Sequence, residues 1–550
     1  MKSFKILFNN SIFNYLILLI SLAYSLVFIF YGIDFTDTFY YINLCKDYTS
    51  SPMIILSLLI GKGWMLFFGD SLISFRVLNW AILILTIFLP FIMLIPSNNR
   101  RENLKYLSIS IILITILNDN VFGADVCTLF FLALSISLLI KFLQTNKLIY
   151  LLLYGLTSSL LILARFPNIL ILPTSACIFG IIEYGKNYQK LQKVKILLSY
   201  FKKIGIYFSV CIILCILIII IIYGSVSEFT SRLSFSLGNI DESHAIIPMI
   251  RVYVRDFIKL FQYTGVCVLI FLIVNNKLNF NGLIQKIFGI SAVIFLALFL
   301  KVEIGIMKYN WNMSLFYSAI VCSILIYYSV LYVQNKEYNK LILISIVLIF
   351  SIIPVLGSNT GLLKLSYFSI AFLPTLLASN RTGFNSNSKL NYLFAVFFLF
   401  TFYTKMMVVY EDSKITSLRY ELKTEKLGHV KTTKENVQFI EDVLKVFKEV
   451  GENNKSVLFY GKVSHVFYYL TNTKPLYQIS FWMPPYDIKE VKKAEQIIIS
   501  KRPTVFFVPS YPEFSVQYFN DRKTISTFET MLVENGYNAT AKNSFIIYNP

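Results

Sequence analysis

Residues 204–223 read IGIYFSVCIILCILIIIIIY, a stretch of 20 residues without a charged side chain. An α-helix rises about 1.5 Å per residue, so such a stretch spans roughly the 30 Å of a bilayer's hydrocarbon core. Similar apolar runs recur along the chain and end near position 410, and 56% of the 550 residues are hydrophobic. Each such helix satisfies its own backbone hydrogen bonds in lipid. The sequence therefore predicts an all-α, polytopic integral membrane protein.

Thirteen runs have the length of a membrane span. They lie at 12–31, 72–95, 104–118, 123–140, 148–164, 167–183, 204–223, 261–274, 284–300, 312–333, 341–356, 362–379 and 390–409. The first run is longer than the core of a typical signal peptide, and no convincing small-residue cleavage site follows it, so we expect a retained anchor. The apolar stretch 51–68 is interrupted by Pro52, Gly61 and Gly63, which favours a helix at the membrane interface over a crossing.

The distribution of basic residues predicts how the spans are oriented. With the N-terminus inside the cell, the inner connections carry 18 Lys and Arg in 76 residues, and the outer connections carry 9 in 101. Cytoplasmic loops of membrane proteins are enriched in Lys and Arg, so this asymmetry explains the net charge of +20 without a nucleic-acid partner. We expect a multi-pass protein of a bacterial inner or plasma membrane. Its N-terminus is cytoplasmic and, after thirteen crossings, its C-terminal domain is extracytoplasmic.

Residues 411–550 differ in character from the transmembrane domain at 1–410. Helical periodicity at 435–450, 488–500 and 524–535 alternates with β-rich runs at 457–460, 505–508 and 545–548. This pattern predicts a small soluble α/β domain, and the domain contains no phosphate loop and no nucleophile elbow. All seven cysteines precede position 330, so neither a disulfide framework nor a zinc site is predicted.

The ionisable residues near the spans gather at the predicted outer ends. They are Asp34, Asp37, Arg76, Asp119, Asp125, Arg165, Glu303 and Lys308. Charges are costly in lipid, and an ion-coupled transporter more often keeps acidic residues near the midplane of the membrane. The pattern therefore favours chemistry on a substrate at the level of the outer headgroups.

The first outer loop, residues 32–71, begins with the sequence GIDFTDTFYY at 32–41. Its two carboxylates, Asp34 and Asp37, stand beside aromatic rings just outside a span. This arrangement suits a general base that faces an acceptor hydroxyl, and it also suits a cation site. The alternative is an ordinary polar loop in which an aspartate caps the following helix.

The order of short motifs over roughly residues 12–145 resembles that of the GT-C glycosyltransferases. The similar branch contains the protein O-mannosyltransferases, the aminoarabinose transferases and the RgtA-like sugar transferases. The motifs are Asp37-Thr38-Phe39-Tyr40-Tyr41 after the first span, a loop with Pro52, Phe68-Gly69 and then Phe75-Arg76 at the second span, and Gly123-Ala124-Asp125 at the fourth. Thirteen spans and an outer C-terminal domain also agree with several members of this branch.

The resemblance implies transfer of a sugar from a polyprenyl-phosphate donor to a hydroxyl of a glycan, lipid or protein acceptor. Asp37 matches the leading acidic residue of the family, its catalytic base. Thr38 stands where many members have Glu, so Asp34 is the candidate for the second carboxylate. Asp125 matches the later aspartate. Some members bind a divalent metal ion, and here Asp34, Asp37 and Glu303 are the candidate ligands.

The phosphate that leaves in such a reaction is an anion and needs cations close by. The candidates are Arg76, Arg165, Lys308 and Lys364. Alternatively, the side chain of Arg165 extends to the membrane surface without binding a phosphate. Arg76 could instead form an ion pair with an aspartate of the first loop. Two other functions remain open: a transporter or flippase of lipid-linked glycans, and a non-catalytic membrane scaffold whose outer domain binds a partner.

The predicted outer loop at 224–260 carries basic residues at a spacing of four. Arg251, Arg255 and Lys259 therefore share one face of a helix. That face is expected to meet either anionic lipid headgroups or solvent.

Overall fold

The computed structural model describes residues 11–35, 37–117, 121–187, 193–238, 246–274, 311–356, 361–378, 399, 401–407, 409, 412–451, 456–461, 464–474, 476, 495–496, 498–508, 522–542 and 545–550. Over these ranges the N-terminal part is a bundle of helices, and the C-terminal part is a small sheet covered by helices.

Besides the helical residues 401–407, the bundle contains fifteen helices within the described ranges. They are α1 Ser11–Val27, α2 Asp37–Lys46, α3 Ile55–Phe68, α4 Leu72–Leu94, α5 Ser97–Leu117, α6 Ala124–Thr145, α7 Leu148–Ala164, α8 Ile171–Asn187, α9 Lys193–Tyr223, α10 Val226–Gly238, α11 Ile246–Val274, α12 Trp311–Gln334, α13 Tyr338–Ile352, α14 Leu365–Ser369 and α15 Leu373–Ala378. Short 3-10 turns extend or join them at Phe28–Phe30, Pro52–Ile54, Phe166–Leu170, Gly361–Lys364 and Ile370–Phe372.

Six helical stretches in the described ranges are long and apolar enough to cross a membrane. They are Ile12–Phe30, Leu72–Leu94, Ala124–Thr145, Phe166–Gly185, Ile196–Tyr223 and Tyr317–Gln334. The prediction of a helical membrane protein is therefore confirmed. The number of thirteen spans stays a prediction, since 284–300 and most of 390–409 lie outside the described residues.

Helix α5, which contains nearly all of the predicted span 104–118, is enclosed by other helices. Its residues from Asn103 to Thr115 are buried in the structure. The hydroxyl of Ser108 donates to Leu104 O (3.0 Å) and that of Thr115 to Ile112 O (2.8 Å). A helix enclosed by other helices does not need a lipid-facing apolar surface, and the hydroxyls of Ser108 and Thr115 are satisfied by the helix's own carbonyl groups.

The first outer loop leaves the bundle and returns to it at the same end. Lys46, at the end of α2, forms an ion pair with Asp70, which follows α3 (Nζ–Oδ2, 3.0 Å). The intervening helix α3 therefore does not carry the chain across the membrane. Its first turns are buried, whereas Leu66, Phe67 and Phe68 are exposed at its other end. Such an apolar helix end suits the interfacial position predicted for 51–68.

Within its described residues, the C-terminal domain is built on a four-stranded sheet with the strand order β3-β4-β6-β5. Its elements are β1 Tyr420–Glu421, β2 Lys431–Thr432, α16 Lys434–Val446, β3 Val457–Gly461, α17 Ser464–Thr471, β4 Thr504–Val508, α18 Arg522–Glu534, β5 Asn538–Lys542 and β6 Phe545–Asn549. β3 and β4 are parallel, and β6 runs antiparallel to β4 and β5. The small separate pair β1 and β2 is antiparallel.

The sequence pattern located three strands of this sheet and missed the fourth. The strand β5 reads Asn-Ala-Thr-Ala-Lys, and most of it is exposed, so it has no apolar alternation. The helix α17 was also missed, because its aromatic run at 466–469 resembles a buried strand. Of the three predicted helices, 435–450 and 524–535 correspond to α16 and α18, and part of 488–500 lies outside the described residues.

The C-terminal domain packs directly on the first outer loop. The amide of Gly32 donates to Lys431 O (2.8 Å), and the amide of Leu72 donates to Lys426 O (2.9 Å). The hydroxyl of Tyr469 donates to Asp70 O (2.8 Å). The loop and the domain therefore lie at the same end of the bundle.

The carboxylate of Asp70 makes this contact sensitive to acid. Burial opposes its ionisation, but Lys46 and Lys426 more than offset burial, so the pKa of Asp70 lies below its ordinary value. A carboxyl whose pKa is lower in the folded than in the unfolded state stabilises the fold above its unfolded pKa. That contribution is lost as the pH falls through the folded pKa.

We therefore expect Asp70→Asn to destabilise the protein by about 1–2 kcal/mol at neutral pH, because two charge-assisted contacts are lost. The difference from the unaltered protein should shrink as the pH falls below about 4. Thermal unfolding in detergent between pH 7 and pH 3 measures both effects. The exposed carboxylate of Asp47, in the same loop, provides the control Asp47→Asn. A difference that is constant over this pH range would contradict the prediction.

Candidate functional site at one end of the bundle

The acidic segment, residues 32–38, joins α1 to α2. Asp34 is only 2% exposed, and its Oδ2 accepts hydrogen bonds from the amide (3.3 Å) and the hydroxyl (2.8 Å) of Thr38. Asp37 is the first residue of α2, where the positive end of the helix dipole favours a carboxylate. The side chain of Asp37 lies outside the described part. The side chains of Asp34 and Thr38 are thus joined by a direct hydrogen bond.

Arg76 lies next to the acidic segment, in the second turn of α4. It is 1% exposed, and its guanidinium donates to the carbonyl oxygens of Ile29 (2.9 Å), Tyr31 (3.3 Å) and Gly32 (2.8 Å). A buried cation is stable only with such hydrogen bonds. This geometry favours a role in holding the backbone where the chain leaves α1 over the predicted contact with a phosphate.

The acidic segment and the later aspartate motif meet through an aromatic ring. A Cβ atom placed on Gly123, just before α6, would lie 3.1 Å from carbon atoms of the Tyr41 ring. A larger residue at position 123 would push this ring away. The glycine of Gly123-Ala124-Asp125 therefore allows α2 to pack against the start of α6, which brings Asp125 to the end of the bundle that carries the acidic segment.

Three residues far apart in the sequence form what we call the charge cluster: Asp125, Arg165 and Lys364. Arg165 Nη1 lies 3.2 Å from Asp125 Oδ1, and Lys364 Nζ pairs with Asp125 Oδ2. The side chain of Asp125 is 25% exposed, that of Arg165 16% and that of Lys364 31%. The cluster is therefore accessible to solvent but largely enclosed. One negative and two positive groups give these three residues a formal charge of +1. This surplus makes the cluster suitable for an anion.

The charge cluster is positioned by the ends of three elements. Asp125 lies in the first turn of α6, and Arg165 directly follows α7. Lys364 closes the 3-10 turn Gly361–Lys364. Arg165 also donates to Pro354 O (3.0 Å), which ties the chain after α13 to the cluster. Three of the residues predicted separately from the sequence are thereby brought together.

Asp256 of α11 holds the turn that carries Lys364, a role that no sequence pattern indicates. Its side chain is 1% exposed, and its Oδ2 accepts from the amide of Leu362 (3.2 Å). Its Oδ1 accepts from Arg255 Nε (3.0 Å). Gly361 has φ +60 and lies against this carboxylate. Asp256 stands beside Arg255 in the sequence, so pattern alone would assign it to a local ion pair.

Gly361 tests how closely this turn packs against Asp256. A Cβ atom at position 361 would overlap the carboxylate of Asp256 and lie 2.7 Å from Val252 Cγ1. We expect Gly361→Ala to destabilise the protein by about 2 kcal/mol or more, because a strained φ and an overlap both arise. Thermal unfolding in detergent measures this loss. Gly63→Ala is the matched control, since a Cβ there meets nothing within 4 Å, and equal stability of the two variants would contradict the prediction.

Helix α11 changes the interpretation of the predicted outer loop at 224–260. The structure has helix α10 in this region, and α11 runs without interruption from Ile246 to Val274. Arg251 and Arg255 are exposed, and between and around them Ile250, Val254 and Ile258 are more than half exposed. Basic residues beside an exposed apolar face fit lipid headgroups better than solvent.

Several predicted residues cannot be compared with the structure. Glu303, Lys308 and Asp119 lie outside the described residues, and so does the side chain of Asp37. In the described part of the chain, no group of three or more His, Cys, Asp or Glu side chains is arranged to hold a metal ion. A divalent metal bound by Asp34, Asp37 and Glu303 therefore stays a prediction.

No protein-family model matches this chain, and no curated protein sequence matches it significantly. The functional argument consequently rests on the residues and on the geometry described above.

Proposed function

We propose that this chain is a membrane glycosyltransferase of the GT-C type. It moves a sugar from a polyprenyl-phosphate donor to a hydroxyl of an acceptor at the outer face of the membrane. The observation that carries the proposal is the charge cluster, with two cations against one carboxylate. Through Tyr41 and Gly123 it lies at the same end of the bundle as the acidic segment. An anion site and a candidate base at one membrane surface are the two parts that this reaction needs.

The charge cluster suits the phosphate of the donor. At about 4 Å, a cation and an anion attract each other by roughly 4 kcal/mol at the effective dielectric constant typical of a protein surface. The attraction grows as the bond to the sugar breaks and negative charge collects on the phosphate. Arg165 offers a planar donor group for phosphate oxygens, and Lys364 offers a point charge. Asp125 holds both cations in place when no phosphate is present.

In the proposed reaction, one bond forms, one bond breaks and one proton is transferred. The acceptor hydroxyl oxygen forms a bond to the anomeric carbon of the sugar, and the bond between that carbon and the phosphate oxygen breaks. The hydroxyl proton passes to the carboxylate of Asp37, and the electron pair leaves with the polyprenyl phosphate. No nucleotide takes part. A divalent metal ion, if bound, would further stabilise the phosphate charge.

Asp34 and Asp125 have roles different from that of Asp37 in this proposal. Asp34 is buried and already accepts two hydrogen bonds from Thr38, so it fixes the first turn of α2. Thr38 stands where many GT-C members have Glu, and the carboxylate of Asp34 reaches its hydroxyl. Asp125 is engaged with Arg165 and Lys364, and a carboxylate paired with two cations is a weak base.

Exposed apolar surfaces support a headgroup-level position for the site. At the end of α3, Phe67 is 84% exposed, and α11 presents an exposed face with Ile250, Val254 and Ile258. Arg255 of this face adjoins Asp256, which holds the turn of Lys364. Exposed apolar surfaces of this kind can contact the polyprenyl chain of a donor in the outer leaflet.

The proposal is tested with the purified full-length protein in lipid vesicles. The protein is given a polyprenyl-phosphate sugar together with candidate glycan, lipid and protein acceptors, and free polyprenyl phosphate and glycosylated acceptor are measured. Formation of both products in equal amounts is the expected result. A protein that moves the donor across the bilayer without cleaving it is a flippase, and one that does neither is a scaffold. Either outcome overturns the proposal.

A further inference from the structure

The backbone of the acidic segment is held by the C-terminal domain as well as by the bundle. The bundle binds carbonyl oxygens through Arg76. The C-terminal domain binds amides: Gly32 donates to Lys431 O (2.8 Å), and Ile33 donates to Asp412 Oδ2 (3.0 Å). An isolated β-bridge between Tyr31 and Lys431 continues this contact. The two halves of the protein therefore bind complementary groups of the same few residues.

The carboxylate of Asp412 is itself fixed by its neighbours in the C-terminal domain. Its Oδ2 also accepts from the hydroxyl of Thr432 (2.5 Å), and its Oδ1 accepts from Asn436 Nδ2 (3.1 Å). Thr432 ends the β1–β2 hairpin, and Asn436 lies in the first turn of α16. The acceptor for the Ile33 amide is thus set by the fold of the domain.

His465 holds the other side of Asp34. Its Nε2 lies 2.7 Å from Phe35 O, and a carbonyl oxygen only accepts, so Nε2 carries the hydrogen. The imidazole is 1% exposed. The backbone oxygen of His465 in turn accepts from Asn43 Nδ2 (2.8 Å) of α2. One residue of α17 therefore contacts both the acidic segment and the helix that follows it.

Aromatic packing reinforces these hydrogen bonds. The ring of Phe35 meets Phe439 of α16 edge to face, with 6.2 Å between centroids, and Phe39 of α2 lies 4.9 Å from Tyr469 of α17. Aromatic pairs at such distances contribute about 0.5–1.5 kcal/mol each beyond their burial. The acidic segment is thereby enclosed between the bundle and the soluble domain.

We infer that the C-terminal domain is part of the active site, with Asp412 and His465 as positioning residues. They fix the backbone on both sides of Asp34 and two residues before Asp37. This inference rests on the proposed function and extends it, because it assigns the soluble domain a task in the reaction. A base that is held in place by a second domain loses its alignment when that domain releases it, and a displacement of about 1 Å can lower a rate about 10²-fold.

The test uses the full-length protein with His465→Leu, which has a similar volume but no hydrogen-bond donor. His465→Gln places an amide N–H near the position of Nε2 and should restore function. Asp412→Asn is the second variant. His429→Leu is the matched control, because His429 belongs to the same domain and its side chain is 83% exposed. The readouts are kcat, the KM of the donor, and hydrogen exchange of the backbone amides of residues 31–38.

For His465→Leu we expect kcat to fall about 10²-fold while the donor KM stays within about twofold, since the charge cluster is untouched. Amide exchange in residues 31–38 should accelerate by about tenfold or more, and exchange in β4 should not change. Asp412→Asn should show the same pattern, and His465→Gln should recover most of kcat. If His465 had a purely structural role, His465→Leu would instead change amide exchange throughout the domain. That result would overturn the inference.

The exchange measurement separates the failure of this inference from that of the proposed function. Absence of sugar transfer by the unaltered protein overturns the proposed function. Exchange in residues 31–38 that is equal in His465→Leu, Asp412→Asn and His429→Leu overturns the inference, whatever the activity.

Discussion

Asp37→Asn is expected to lower the rate of sugar transfer by about 10²–10⁴-fold, the contribution of a general base. Asparagine has nearly the same shape as aspartate but does not accept the proton of the acceptor hydroxyl. The donor KM should remain within about twofold, because the phosphate contacts lie in the charge cluster. The release of polyprenyl phosphate from the purified variant measures the rate.

Two further variants make this result specific. Asp47→Asn changes an exposed carboxylate of the same loop and should leave the rate unchanged. Asp34→Asn keeps an oxygen that can accept from Thr38, so we expect a smaller loss than for Asp37→Asn. If Asp34→Asn abolished transfer while Asp37→Asn did not, Asp34 would be the base. The assigned roles would then be wrong.

Removing the cations of the charge cluster should chiefly weaken binding of the donor. We expect Arg165→Gln and Lys364→Met each to lower kcat/KM by about 10- to 10²-fold, since a hydrogen bond to a charged group contributes about 1.5–3 kcal/mol. The loss should show mainly in the KM of the donor, with a further loss in kcat because the leaving phosphate carries more charge in the transition state. Steady-state kinetics at several donor concentrations separates the two.

Asp125→Asn distinguishes a carboxylate that holds cations from one that acts as the base. Without its charge, Arg165 and Lys364 keep their positive charges, so the donor KM should not rise. A loss of kcat as large as that of Asp37→Asn would instead make Asp125 the base. Lys340→Met is the control for the loss of a lysine, since Lys340 pairs with Glu337 within one turn at the start of α13 (Nζ–Oε2, 3.0 Å). It should leave kcat/KM unchanged.

The individual members of the charge cluster were predictable from the sequence, but their meeting was not. Asp125 was marked by its place at the start of an apolar run, Arg165 by its place between two runs, and Lys364 by its place at the start of the run 362–379. Their separation of 40 and 239 residues gives no local signal for a shared ion pair. Arg76 was also noted in the sequence as a candidate for the phosphate. Only the structure shows that its guanidinium donates to backbone carbonyl groups.

The residues missed by sequence reasoning are those that hold others in position. Asp256, Asp412 and His465 stand in segments with no motif, and each acts by contacting the backbone of a distant segment. A backbone amide or carbonyl is offered by nearly every residue, so composition and spacing carry no information about such a contact. Only the folded chain identifies the partner.

The amino-acid sequence by itself determined that this chain is a helical membrane protein with a small α/β domain in its C-terminal part. Hydropathy and the periodicities of helix and strand are local properties, because each span must match the thickness of the bilayer by its own length. The tertiary structure alone decided that the first outer loop lies between the bundle and the C-terminal domain, and that Asp125 joins Arg165 and Lys364. Those contacts link residues far apart in the chain, and they form only when side-chain packing brings the helix ends together at one end of the bundle.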